Sequence, residues 1–255
     1  MFLNIHEYIH TQQKTTICDN LLAQTVLEGV TEFLTEKTSN TESPNPQIKF
    51  GNENDARIKA KFEPEMFSPE IYNWIWNSAK NEFGMRDLAY YVGYKVSQGY
   101  YNTSSDKQLA IEQMINFEYN NEEELIKFGD KPGYFSKPLA EYKKTFEDSR
   151  LKVTDLGEIQ NISKDVSTDI DILTINFSQP MNIQNRNFEL GPLERENVIR
   201  ITKFISFSED GKSVSFQIEK LEPLKKYQLI VDSGFSNMNG VPLVPYLIHI
   251  LTEEN

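Results

Sequence analysis

The hydrophobic pattern of this chain changes period once, near residue 150, and one kind of secondary structure cannot accommodate both halves. Before that point apolar residues recur at spacings of three and four, as in Leu22, Val26, Val30, Phe33 and Leu34, which lines one face of a helix. From about Lys152 the pattern alternates: Ile172, Thr174 and Asn176 fall on one face of a strand, and Leu173, Ile175 and Phe177 on the other. Val214, Phe216 and Ile218 repeat the alternation, as do Tyr227, Leu229 and Val231. Turn signals at Gly191-Pro192, Asp210-Gly211 and Asn239-Gly240 separate these runs. The expectation is a multi-domain α + β chain, with a mostly helical domain over 1–150 and an all-β sandwich over 151–255.

Within the first part the spacing predicts helices over 1–14 and 20–37, then a loop from Thr38 to Asn54, where Pro44 and Pro46 interrupt the pattern. Helices resume near Ser68–Lys80, Asp87–Tyr101, Asp106–Phe117 and Asn121–Phe128, with Ser68 before Pro69 read as an N-cap. The formal net charge of −12 argues against nucleic acid and anionic membrane surfaces as partners. A single cysteine, Cys18, excludes an intrachain disulfide and is read as a small buried side chain. No apolar run reaches the roughly 18–20 residues that cross a bilayer. The first residues show no export signal, so a complete chain is expected in the cytoplasm.

Chemistry concentrates at His6-Glu7-Tyr8-Ile9-His10. On a helix, His6 and His10 project from the same face one turn apart, and two imidazoles at that spacing can share a metal ion. Glu7 then stands beside the metal, where its carboxylate can take a proton from water. A catalytic zinc needs a third protein ligand, and Glu28 lies far enough along the chain to return on a second helix. The alternative is a surface helix that carries two histidines and no metal.

His6-Glu7-x-x-His10 followed by Glu28-Gly29-x-x-Glu32 resembles the gluzincin metallopeptidases. The resemblance implies Zn2+ held by His6, His10 and Glu28, with Glu7 as general base. It also implies that Glu32 braces a ligand histidine, against the plainer reading of a solvated helix residue. The stretch Gly84 to Lys95, with Asp106 to Ile111 and Pro132 to Phe135, is similar to the C-terminal part of bacterial predicted zinc-dependent proteases. On that similarity Tyr91 or Tyr94 becomes the oxyanion donor, and Arg86 binds substrate or a ligand carboxylate. Tyrosines on an amphipathic helix more often pack than catalyse. A β-sheet normally precedes such an active-site helix. Here His6 comes too early for one, so a truncated chain, a natural fragment or a non-cleaving relative is expected, and truncation implies export or the cell envelope.

In the second part, Phe177-Ser178-Gln179-Pro180-Met181, Asp210-Gly211, Leu221-Glu222-Pro223 and Asn239-Gly240 fall in the order seen in bacterial Ig-like domains of S-layer and other cell-envelope proteins. The resemblance implies a spacer or adhesive module with a cell-envelope partner. His249, in the final strand, is read as a packed or rim residue. Two functions compete: zinc-dependent hydrolysis of a peptide or protein substrate, and a non-catalytic interaction protein with a vestigial or structural metal site.

Overall fold

The computed structural model describes residues 1–14 and 17–254. Two compact units divide the chain, Met1–Asp148 and Ser149–Asn255. The first is helical and the second is built from antiparallel strands, so the molecule mixes α and β structure in succession.

The first unit is organised around the helix α2, Leu21–Ser39, in which every residue from Leu21 to Thr35 is buried. Helix α2 starts where Asn20 accepts a hydrogen bond from Ala23 N, and stops where Asn40 takes the left-handed conformation. A helix buried all round needs partners on every side. Helix α1, Phe2–His10, covers one side with the buried residues His6 and Ile9. Helices α3, Pro46–Phe62, and α4, Leu88–Thr103, complete the packing, and the shorter α5, Lys107–Ile115, α6, Glu122–Asp130, and α7, Leu139–Ser149, follow.

One contact decides which residues of α4 face α2. A Cβ added at Gly29 would lie 1.9 Å from the carbonyl carbon of Gly93, and one added at Gly93 would lie 1.9 Å from the Thr25 carbonyl oxygen. The two backbones therefore touch, which only glycine permits at both positions. Tyr90, one turn before Gly93, is thereby turned toward Glu28, the residue before Gly29. Its neighbour Tyr91, about 100° further round the helix, points toward α3, where a Cβ on Gly51 would meet its ring at 2.1 Å.

Two expectations for this unit need correction. The stretch from Thr38 to Asn54 is not a single loop, because α3 begins at Pro46 with Asn45 in the cap position. Proline at the first helical position starts a helix rather than breaking one. The stretch Ser68–Lys80 is not a helix. The backbone closes a turn there, with Trp74 N and Ile75 N both donating to Ile71 O. Asn77 also donates its side chain to Asn73 O and accepts from Asp87 N, and such bonds compete with helical ones.

In the second unit, the strands β1 (Val153–Leu156), β2 (Ile172–Phe177), β3 (Phe188–Glu189), β4 (Ile201–Phe207), β5 (Ser213–Ile218), β6 (Lys226–Val231) and β7 (Tyr246–Leu251) form two sheets. Their orders are β1-β2-β5-β4 and β3-β6-β7, with every pairing antiparallel. Leu173, Ile175 and Phe177, with Val214, Phe216 and Ile218, face the same apolar cluster as Leu229, Val231, Ile248 and Ile250. Side-chain alternation along a strand produces this division, since successive residues point to opposite faces. Among the described residues no helix is long and apolar enough to cross a membrane.

Candidate metal centre

Helix α1 presents His6 and His10 to α2, and α2 presents Glu28 between them. The two Nε2 atoms stand 3.2 Å apart. Glu28 Oε2 lies 3.2 Å from His10 Nε2 and 3.7 Å from His6 Nε2. Ligand atoms about 2.0–2.2 Å from a tetrahedral zinc are separated from one another by roughly 3.3–3.6 Å, so the three atoms already span the edges of such a site.

The far side of each ligand explains why these atoms converge. His6 Nδ1 lies 3.2 Å from Glu32 Oε2, and the other Glu32 oxygen accepts from Asn45 Nδ2 at 2.8 Å and from Ser43 Oγ. His10 Nδ1 donates to Gln13 Oε1 at 2.8 Å. Gln13 is buried and donates in turn to the Tyr119 hydroxyl at 2.9 Å, which donates to Met114 O. With an acceptor at each Nδ1, a neutral imidazole carries its proton there and leaves the Nε2 lone pair bare. Gln24 Nε2 holds Glu28 Oε1 at 3.1 Å, whereas the buried Oε2 has no well-directed hydrogen bond among the described residues. Three lone-pair atoms thus face one another across about 3 Å, an arrangement that a divalent cation satisfies.

Protons compete for the same position. Burial opposes an imidazolium at His6, but the Glu28 and Glu32 carboxylates outweigh it and raise its pKa to about 9. His10 is raised for the same reason, burial being overcome chiefly by Glu28. Burial opposes the Glu28 carboxylate too, yet His10 and His6 pull its pKa down to about 2. A metal must therefore displace a proton from His6 at neutral pH. Zinc affinity is expected to rise by at least about tenfold per pH unit between about pH 6 and 8, with proton release at each step. Calorimetric titration in buffers of different ionisation enthalpy checks this. A pH-independent affinity would show that His6 is not a ligand.

The metal group forms one wall of a cleft of about 310 Å³, lined also by Glu7, Tyr90 and Trp76. His6, His10 and Glu28 are the residues that can hold a metal ion among those described. Glu7 is exposed on the cleft side of α1, with no ion pair among the described residues. The Tyr90 ring stacks 6.1 Å from the His6 ring. Burial and the neighbouring Glu28 charge raise the Tyr90 hydroxyl above its ordinary pKa, so it remains a proton donor.

Tyr91, Tyr94 and Arg86 do not reach this cleft. The Tyr91 hydroxyl donates to Asp55 at 2.9 Å and the Tyr94 hydroxyl to Glu36 at 2.8 Å. Arg86 is largely exposed and pairs with Asp87 at 2.5 Å. The spacing of three between Tyr91 and Tyr94 identifies a helix face but not its neighbour. The Gly29–Gly93 contact turns Tyr90 inward instead. Gln13 joins the site as well, and its place three residues beyond His10 is the one sequence signal for a partner on the same face. Trp76 and the pair Ser43 and Asn45 leave no comparable trace. Burial, reinforced by the Asp19 and Glu28 charges, pushes the Cys18 thiol up to about 12, consistent with a packed side chain rather than a thiolate ligand. His249 is exposed on β7.

No family model matches the chain, and no curated protein matches it. Solved structures of an S-layer protein show faint likenesses. Surface layer protein SbsC, domains 1–6, matches at 11% identity and a TM-score of 0.31, covering 100% of this chain and 33% of that one. The S-layer protein rSbsC matches at 12% and 0.28, with coverage of 100% and 33%. The N-terminal part of the bacterial S-layer protein SbsC matches at 12% and 0.27, with coverage of 91% and 55%. The chain thus spans about a third of the length of the first two, and TM-scores this low do not establish a shared fold.

Proposed function

We propose that the helical unit is a zinc peptidase centre, with His6, His10 and Glu28 as ligands and Glu7 as general base. The observation that carries this reading is the set of three ligand atoms within 3.7 Å, each braced on its far side. Histidine and carboxylate donors in a roughly tetrahedral spacing suit zinc. Zinc bound there supplies Lewis acidity to water and to a carbonyl.

The chain's own residues supply the rest. Glu7 takes the proton of the attacking water and later returns it to the leaving amine. Its exposure on the cleft side of α1 leaves it free to move that proton. The Tyr90 hydroxyl donates to the oxygen on which charge develops, a role that neither Tyr91, turned toward α3, nor Tyr94, one turn further along α4 and bonded to Glu36, is placed to fill. Glu32 and Gln13 keep the two imidazoles in the tautomer that ligates. A structural zinc site closes with four protein ligands, whereas this group offers three and opens onto a cleft, which favours catalysis over a purely structural metal.

The strand unit is read as an Ig-like sandwich that serves as a spacer or adhesive module at the cell envelope. Its support is the order of strand and turn motifs, together with two antiparallel sheets that share one apolar cluster. That role is independent of the metal.

The deciding experiment is elemental analysis of the purified chain beside a Glu28→Gln variant. Wild type is expected to hold about one zinc per chain, with affinity lost by a factor of about 100 or more in the variant, because it loses a charged ligand. Wild-type protein that takes up no zinc, even from excess, would remove the catalytic reading.

A further inference from the structure

Trp76 stands on the rim of the metal cleft in a conformation that a bulky residue rarely adopts. Its φ is +54°, in the left-handed region, and its side chain is 51% exposed. The two residues before it explain the backbone. Trp74 is buried and donates its indole N–H to Glu65 at 2.7 Å, and Ile75 is completely buried. With both pointing into the core, the left-handed residue turns the third side chain away from the core and over the cleft. Left-handed strain at a non-glycine residue persists only where its surroundings hold it, and it is concentrated at working sites.

The cleft lining mixes polar groups, Glu7, His6, His10, Gln24 and Glu28, with apolar surface from Trp76, the ring of Tyr90 and the buried Leu27. Tyr72, itself exposed, holds its ring 6.3 Å from that of Trp76. The Trp76 indole N–H has no partner among the described residues, so both its face and its donor are free to meet a ligand.

We propose that Trp76, with Tyr90 and Leu27, forms the subsite for a large apolar side chain, aromatic or long aliphatic, next to the bond that is cut. This rests on the peptidase reading for the position of that bond. The chemistry of recognition is burial of apolar surface against an indole face, with the indole N–H available to a backbone carbonyl. A small or charged side chain there would leave the shelf wet and lose that gain.

The test uses the full chain loaded with zinc and two probes, the hydroxamates of acetyl-phenylalanine and acetyl-glycine, titrated by calorimetry. The phenylalanine compound is expected to bind at least about tenfold more tightly. In Trp76→Ala the preference falls to within about threefold, while Trp76→Phe keeps most of it. Trp76→Gly relieves the left-handed strain and removes the indole, so it reports the same loss if the alanine variant folds poorly. Equal affinity for the two probes in wild type overturns the proposal. So does a preference that survives in Trp76→Ala or Trp76→Gly, or no binding of either probe. Peptide cleavage is followed separately. Protein that ranks the hydroxamates as stated but cuts no peptide keeps the subsite and loses the peptidase reading. Protein that cuts peptides without regard to side-chain size keeps the peptidase reading and loses the subsite.

Discussion

Replacing Glu7 by Gln is expected to leave zinc content at the wild-type level and to slow peptide hydrolysis by about 10²–10⁴-fold. The two halves of this result separate ligation from proton transfer. Glu7 projects from α1 between the ligand histidines but lines the cleft rather than joining the His6–His10–Glu28 group. Glutamine keeps its size and hydrogen-bonding reach but cannot take a proton at neutral pH. The loss should fall on kcat with KM little changed, because the carboxylate acts in the reaction more than in binding. The measurement is kcat and KM on a peptide substrate, beside elemental analysis of the same preparation. A variant with wild-type kcat would show that Glu7 is not the base.

Gly93→Ala is expected to lower the stability of the helical unit by about 3 kcal/mol, at the upper end of overpacking costs. A methyl group there would lie 1.9 Å from the Thr25 carbonyl oxygen, and the nearest atoms belong to backbone, which cannot swing aside. Alanine's better helix propensity offsets only about 1 kcal/mol of the clash. For a unit of this size, each kcal/mol shifts the melting temperature by roughly 2–4 °C, so the helical transition should fall by about 6–12 °C. Thermal unfolding followed by helical circular dichroism checks this. The same substitution pushes α4 away from α2 and takes Tyr90 from its place beside Glu28, so the surviving folded protein should also turn over more slowly. A melting temperature within 2 °C of wild type would mean that the two helices separate at little cost, and that their contact does not hold the site.

How far the sequence could be read depended on whether the relevant partner was local. The spacing of four between His6 and His10 placed both on one side of α1 because the helix period is local geometry. The pattern Glu28 to Glu32 put two carboxylates one turn apart on α2, and the structure sets them against His10 and His6 respectively. The alternation in Leu173, Ile175 and Phe177 marked the buried face of β2 for the same reason, since successive strand residues point to opposite faces. The start of α3 at Pro46 is also written locally, since proline suits the first turn of a helix although it breaks the interior of one.

What the sequence by itself determined was that His6 and His10 share one face of α1 and that Glu28 and Glu32 stand one turn apart on α2, because both follow from helix periodicity. Only the tertiary structure decided what surrounds them. Three tyrosines on α4, Tyr90, Tyr91 and Tyr94, are alike in type, but Tyr91 differs in angle round the helix and Tyr94 lies one turn further along it, and the close approach of Gly29 to Gly93 sets Tyr90 at the cleft. Ser43 and Asn45 reach Glu32 from the segment beyond α2, and Gln13, the partner of His10, bonds to Tyr119 across 106 residues of sequence. Trp76 owes its place to the burial of Trp74 and Ile75 immediately before it. Contacts of this kind depend on how helices cross and which side chains the core admits, and neither is encoded in the spacing of any one segment.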